Sequence, residues 1–296
     1  VPQSTDPPRR VLVTGAGGTI GRAVLWALRR AGVASTALVL DDPGDLDTDR
    51  VVIGSATDRD RVSEALDGAD AVVHLAARAA PHLGSGEEVF VGNTAATFTV
   101  LDAAGRAGVR RAAIASSINA LGLRYSPVPA APAYLPLDVE LPTVAADPYS
   151  LSKRVDEETA RAMHRAHGMD VVALRYPMTG GLGLEPGLGD SLVPAIEQLR
   201  ADPAAGALDL WSYLEVRDAA RATLAGLSPR RRGAHAMLVA APTTFLSEPT
   251  EALLDRYWPG VPRRRPMPGH AVPIDLRPAR ELLGFEAEHL VAPGSD

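Results

Sequence analysis

The chain has no cysteine. Disulfides and thiolate chemistry are therefore excluded, and nothing in the sequence points to a bound metal. Lysine is nearly missing too. Of 30 basic residues, 29 are arginine and Lys153 is the single lysine. There is no basic excess either, since the net charge is −6. A nucleic-acid partner is not expected, because nothing would neutralise the phosphates. The one basic tract, Arg263-Arg264-Arg265, reads as a solvated loop. No segment approaches the roughly 20 apolar residues of a membrane span. The stretch Val1–Pro8 is polar and proline-rich, without the apolar centre of a signal peptide. A cytoplasmic protein with no membrane partner is the expectation.

What is present is an alternation. Short apolar runs at 10–14, 37–40, 51–53, 71–75, 112–115 and 171–174 read as buried strands. Helical stretches lie near 19–31, 59–67, 87–107 and 148–167. Apolar strands alternating with helices indicate an α/β fold, a doubly wound parallel sheet covered on both faces. Segment 122–147 is rich in proline and alanine, holds no period, and is expected to be a loop. After 177 the alternation weakens. Helices near 214–227, 248–256 and 277–283 suggest a small C-terminal lobe over the carboxyl edge of the sheet. The expected division is 1–176 for the dinucleotide-binding part and 177–296 for the lobe, with returns to the sheet allowed.

Thr14-Gly15-Ala16-Gly17-Gly18-Thr19-Ile20-Gly21 follows the first strand and opens the first helix. Glycine is needed there for sharp turns and for close approach of backbone to a pyrophosphate. The helix N-terminus then offers N–H groups and a positive dipole end. Asp41 ends the second strand about 20 residues on, where an acid binds the adenosine ribose hydroxyls. A carboxylate repels a 2′-phosphate, and no arginine follows before Arg50. The cofactor expected is therefore NAD rather than NADP. Asp58, after the third strand, is read either as an adenine contact or as a helix N-cap.

Tyr149-Ser150-Leu151-Ser152-Lys153 places a phenol and an ammonium four residues apart on one helix face. A neighbouring cation favours a phenolate, so the phenol can exchange a proton with a substrate hydroxyl or carbonyl. Arginine's planar fork suits a ribose hydroxyl and a phenol less well than a compact ammonium, which fits the lone Lys153. Ser116 and Ser117, ending the fifth strand, lie where α/β ligands bind.

With these pieces assembled, the chain resembles the extended short-chain dehydrogenase/reductase family, also called the NAD-dependent epimerase/dehydratase family. The matching residues run through the chain: the glycine motif, Asp41, His74-Leu75-Ala76-Ala77, Asn93-Thr94-Ala95-Ala96-Thr97 and Ser116-Ser117 before Gly122. They continue with Tyr149 to Lys153, Leu174-Arg175-Tyr176-Pro177, Val216-Arg217-Asp218-Ala219-Ala220 and Leu282-Leu283-Gly284-Phe285. The resemblance implies that Ser117 is the catalytic serine and Tyr149 the general acid/base. It implies that Lys153 binds the nicotinamide ribose and tunes Tyr149, and that Asn93 supports the active-site helix and a water relay. Leu75, Ala76, Ala77, Ser116 and Pro177 would lie along the cofactor, with Gly15, Gly17, Gly18, Thr19, Ile20 and Gly21 around the pyrophosphate. It also implies a homodimer through the helices near 87–107 and 148–167.

Departures from the family pattern narrow the chemistry. The asparagine that epimerases carry after the Leu-Arg-Tyr strand is replaced near Met178, and the dehydratases' Thr-Asp-Glu set is replaced by Ser117-Ile118-Asn119. Hydride transfer to or from a small alcohol or ketone remains, with a free sugar or sugar acid as one substrate class. Arg175, Arg217 and His270 are the candidate holders of a substrate anion. Two alternatives stay open: a nucleotide-sugar epimerase, and a non-catalytic dinucleotide sensor or scaffold.

Overall fold

A computed structural model describes residues 7–128 and 130–294. The stretch at 1–6, on which most of the leader reading rests, lies outside the described residues. Seven strands form one parallel sheet: β1 (Arg10–Thr14), β2 (Ala34–Val39), β3 (Arg50–Ile53), β4 (Ala71–His74), β5 (Arg111–Ser117), β6 (Asp170–Tyr176) and β9 (Ala234–Leu238). Their order is β3-β2-β1-β4-β5-β6-β9. The chain starts in the middle, winds outward through β2 and β3, then returns to β4 and winds the other way. The order reverses between β1 and β4, and such a switch point opens a crevice at the carboxyl ends of the strands. This is a Rossmann fold.

Burial is nearly continuous along the central strands, and successive side chains enter opposite cores, as a sheet covered on both faces requires. In β1, Leu12 joins a core beneath α2 (Arg59–Ala65), α3 (Gly86–Arg106) and α4 (Pro148–His167). Its neighbours Val11 and Val13 face the opposite core, with Val24, Leu25 and Leu28 of α1 (Thr19–Arg30). The same second face takes Val216 and Ala220 of α6 (Val216–Gly226).

The region after 177 is where sequence reading missed most. Two short strands, β7 (Met178–Gly180) and β8 (Tyr213–Glu215), pair in parallel outside the main sheet. Helix α5 (Leu192–Ala201) and strand β9 carried no clear period, and β9 nevertheless pairs with β6 along five residues. Strands this short give too little alternation to read. Helices α7 (Thr250–Tyr257) and α8 (Arg277–Leu283) complete the chain.

Among its described residues, segment 122–147 carries no helix and no named strand. Leu135 and Leu137 are nevertheless fully buried, in a further core cluster with Trp211, Tyr213, Phe245 and Leu253. The arginine tract is more engaged than a solvated loop. Arg263 pairs with Glu251 and Asp255, Arg264 stacks over Tyr134 at 3.2 Å, and Arg265 reaches Asp275 at 3.0 Å. Among the described residues, no helix is long and apolar enough to cross a membrane.

Candidate active site

A cleft of about 1310 Å³ runs along the carboxyl ends of the strands at the switch point. One end is built by the glycine turn. Gly15 has φ of +65°, and a Cβ there would lie 2.6 Å from the Ala76 nitrogen. A Cβ on Gly21 would lie 2.7 Å from the Ala16 Cα. Both positions therefore exclude any other residue, the first by backbone conformation and contact, the second by contact. Gly18 caps α1 with no side-chain hydrogen bond, and no acidic residue occupies the first turn. The N–H groups and dipole of α1 thus stay available to an anion.

The turn is braced from the next loop. Arg22 donates from Nε to the Gly17 carbonyl at 3.1 Å, and from Nη2 to the Pro43 carbonyl at 2.8 Å. That holds the segment carrying Asp41 and Asp42 beside the glycines. Both aspartates are exposed and line the cleft.

Asp58 does not line it. Its carboxylate accepts hydrogen bonds from the Asp60 nitrogen at 2.9 Å and the Arg61 nitrogen at 3.2 Å, so it is the N-cap of α2. These bonds use Oδ1 alone, and Asp58 is exposed. Gly54, Ser55, Ala56 and Thr57, just before it, line the cleft instead.

The other end of the cleft gathers Ser117, Tyr149 and Lys153. Ser117 closes β5, is buried, and accepts from the Asn119 nitrogen at 3.1 Å. Tyr149 sits at the start of α4 because Asp147 caps that helix, accepting from the Tyr149 and Ser150 nitrogens at 3.0 and 2.9 Å. Pro148 at the first helical position suits its fixed φ. One turn on, Lys153 is buried and donates from Nζ to the Ala115 carbonyl at 2.8 Å. It also lies 3.3 Å from Asp156.

Asn93 acts from α3. It accepts from the Arg78 nitrogen at 2.8 Å, and its Nδ2 donates to the Arg78 carbonyl and to Ser152 Oγ, each at 3.1 Å. Ser152 donates onward to the Tyr149 carbonyl at 2.7 Å. Asn93 therefore ties the segment after β4 to the first turn of α4.

His74, buried at the end of β4, bonds through Nδ1 to Thr14 Oγ1 at 2.8 Å and through Nε2 to Thr97 Oγ1 at 3.2 Å. Burial, then the nearby Lys153, pushes its pKa down to about 3, so the ring is neutral. Thr14 Oγ1 also accepts from the Ala76 nitrogen at 3.3 Å, which fixes the backbone that Gly15 packs against. Leu75, Ala76, Ala77, Ser116 and Pro177 all line the cleft.

The three anion-holding candidates fare otherwise. Arg175 is 1% exposed and forms a two-pronged ion pair with Glu157, at 2.7 and 2.9 Å. It lies near the carboxyl end of β6, turned toward α4, and does not line the cleft. Arg217 bonds to Glu215 at 3.0 Å, and neither Arg217 nor His270 lines the cleft. The arginines that do line it are Arg78 and Arg124. Arg124 is paired with Asp209, whose carboxyl is pushed up by burial, an effect that Arg124 opposes. Tyr125 stands edge-on to Tyr149 at 5.8 Å, and Met178, Thr179, Trp211 and Ser212 complete that end.

Sequence reading missed this group. Arg124 and Tyr125 follow Gly122 just past a strand end, which is a usable signal. Nothing marked Asp209 to Ser212. Leu210 and Trp211 hold φ of +53° and +52°, a strained turn that tertiary packing alone sets.

With this geometry in place, the comparison with known proteins is decisive. The model of the NAD dependent epimerase/dehydratase family matches residues 11–240. The chain belongs to that family. The family is that of the extended short-chain dehydrogenases/reductases, and NAD is its cofactor. Among curated relatives, UDP-glucose 4-epimerase of Azospirillum brasilense is 34% identical over 56% of this chain and 48% of its own length. The NAD-dependent glucose-6-phosphate dehydrogenase of Haloferax volcanii is 33% identical over 56% of this chain and 66% of its own. The matched segment thus spans between about half and two thirds of those relatives. A solved short-chain dehydrogenase/reductase superfamily protein from Agrobacterium tumefaciens, with bound NAD, is 28% identical with a TM-score of 0.68. That alignment covers 95% of this chain and 93% of the other. The Gly15 and Gly21 cradle, the uncapped start of α1 and the cleft-lining Asp41 fit a dinucleotide without a 2′-phosphate.

Proposed function

We propose that this chain is an NAD-dependent dehydrogenase or reductase acting on a small alcohol or ketone, with Ser117, Tyr149 and Lys153 as its catalytic set. The observation that carries the reading is the meeting of those three side chains in one cleft with the glycine cradle. NAD, when bound, supplies the acceptor or donor of a hydride. The chain's own residues manage position and proton. Tyr149 gives or takes the proton of the substrate oxygen. Ser117 donates a hydrogen bond to the same oxygen, which concentrates charge there as the reaction proceeds. Lys153 holds the nicotinamide ribose and places its ammonium beside the phenol. Asn93 keeps α4 in register by gripping Ser152. Gly15, Gly17, Gly18, Thr19, Ile20 and Gly21 hold the pyrophosphate, and Asp41 the adenosine ribose, where its charge disfavours NADP.

The substrate end supports a small substrate over a nucleotide-linked one. Arg175 and Arg217 are committed to Glu157 and Glu215, and Arg124 to Asp209. Met178 brings a thioether, not an amide, into the cleft. The test is a panel of small hydroxy and keto compounds, free sugars and sugar acids included, with NAD or its reduced form. The expected result is a change in reduced-nicotinamide absorbance far exceeding the enzyme concentration for at least one compound. Turnover of UDP-glucose without net change in nicotinamide would favour the epimerase instead.

The assembly this reading expects is a homodimer through α3 and α4. Phe98 on α3 and Leu151 on α4 are 49% and 43% exposed, so both helices carry apolar side chains left open to a partner. Sedimentation equilibrium should return twice the chain mass. A single-chain mass at micromolar concentration would contradict it.

A further inference from the structure

Asp156 has no part in the chemistry described so far. Its side chain is 1% exposed, and its Oδ2 lies 3.3 Å from Lys153 Nζ, itself on a side chain 5% exposed. Its Oδ1 makes no hydrogen bond within the described residues. A carboxylate and an ammonium this deeply buried are stable only as each other's counter-charge. Around the pair, the Thr97 hydroxyl favours the ionised carboxyl and the field of Glu157 disfavours it, but no second cation among the described residues reaches Asp156. From β4, His74 is neutral. On α4 itself, Glu157 is committed to Arg175 and Arg154. From α3, Thr97 and Asn93 carry no charge, while Asp102 is held by Arg59, Arg106 and His167. At the start of α4, Asp147 is occupied as the cap. From the cleft side, Tyr125 meets Tyr149, and Arg124 is paired with Asp209.

We propose that Asp156 is a positioning residue: it is the buried counter-ion that draws Lys153 against β5 and limits how much of its positive charge acts on Tyr149. This rests on the reading of Tyr149 and Lys153 as the catalytic pair. Burial, helped by the field of Glu157, pushes the Asp156 carboxyl up, and Lys153 with the Thr97 hydroxyl opposes this only in part. As pH falls through that raised value, Asp156 becomes neutral and Lys153 loses its counter-charge. With Asp156 ionised, the net field at Tyr149 is weaker, so the phenolate forms at a higher pH than it would beside an unpaired ammonium.

The single lysine makes a direct test available. Labelling with ¹⁵N-lysine gives one side-chain signal, that of Lys153. The expected result is a signal that moves with pH, with a midpoint above the ordinary aspartate value of about 3.9. In Asp156→Asn the same signal should stay flat. A second readout is the tyrosinate absorbance owed to Tyr149, taken as the difference from a matched Tyr149→Phe protein. In Asp156→Asn it should appear about 0.5–1 pH unit lower. A flat lysine signal in the unaltered chain overturns the proposal, as does tyrosinate appearing at one and the same pH with and without Asp156. If Asp156→Asn does not fold, the titration of the unaltered chain decides alone. None of these measurements needs a substrate. Retained turnover in Tyr149→Phe would therefore sink the catalytic reading while leaving the ion-pair titration standing.

Discussion

Tyr149→Phe is expected to cut turnover by about 10²–10⁴-fold and to leave NAD affinity within a few-fold. The reason is local. The substitution removes one oxygen and keeps the ring, which packs edge-on against Tyr125 and is 7% exposed. The backbone of residue 149 is fixed independently, by Asp147 below and by Ser152 bonding to its carbonyl. Nothing that holds the glycine turn or the Asp41 loop depends on the phenol. The affected step is therefore proton exchange at the substrate oxygen, not cofactor binding. Steady-state rates with any active substrate and calorimetric NAD binding check the two halves. Equal rates for both proteins would remove Tyr149 from the catalytic set. A large loss of NAD affinity with normal rates would assign it to cofactor binding alone.

The largest effect on stability is expected at Glu157. Its carboxylate takes two bonds from Arg175, one from Ser116 at 2.7 Å and one from Arg154 at 3.0 Å. It thereby joins α4 to the ends of β5 and β6. Burial pushes its carboxyl up, but Arg175, with Ser116 and Arg154, holds it below the usual carboxylate range. Glu157→Ala would strand Arg175, which is 1% exposed, as an uncompensated buried charge. Breaking such a pair costs about 3–5 kcal/mol, whereas replacing both members with apolar residues is often near neutral. Urea denaturation should therefore show Glu157→Ala less stable than the double variant Glu157→Ala with Arg175→Met. A single variant within about 1 kcal/mol of the unaltered chain would mean that the pair is solvated in solution, against its observed burial. Ser116 would lose its anchor as well, so NAD affinity should weaken alongside stability.

The two Asp-to-site readings show what sequence can and cannot carry. Asp41 and Asp58 both follow strands at the cofactor edge. Asp41 ends in the cleft because β2 points there and Arg22 pins the loop. Asp58 stands two residues before Asp60 and three before Arg61, and the start of α2 takes its carboxylate as a cap. Both outcomes obey local rules, and the loop length between strand and helix decides which rule applies. Arg175 failed for a different reason. It lies on β6, a strand buried along its whole length, and strand burial cannot say which face a long side chain takes. Its true partner, Glu157, stands four residues after Lys153 on a helix already identified, so the pairing was within reach of the spacing.

The sheet, the glycine turn and the Tyr149–Lys153 face were legible because each rests on short-range periodicity and backbone sterics. The substrate end was not. Arg124 comes from the loop after β5, Asp209 from a 3₁₀ turn more than eighty residues later. Their meeting depends on how the core cluster of Leu135, Trp211 and Tyr213 packs, and no local pattern encodes that.

A dehydrogenase must release its cofactor after each turn, while an epimerase closes its redox cycle with the cofactor retained. The most direct measurement is to purify the chain, release any nicotinamide by denaturation, and follow exchange of labelled NAD with the native protein. An empty or freely exchanging site is the result predicted here. One equivalent of NAD per chain that resists exchange over many turnovers would contradict it and point to an epimerase.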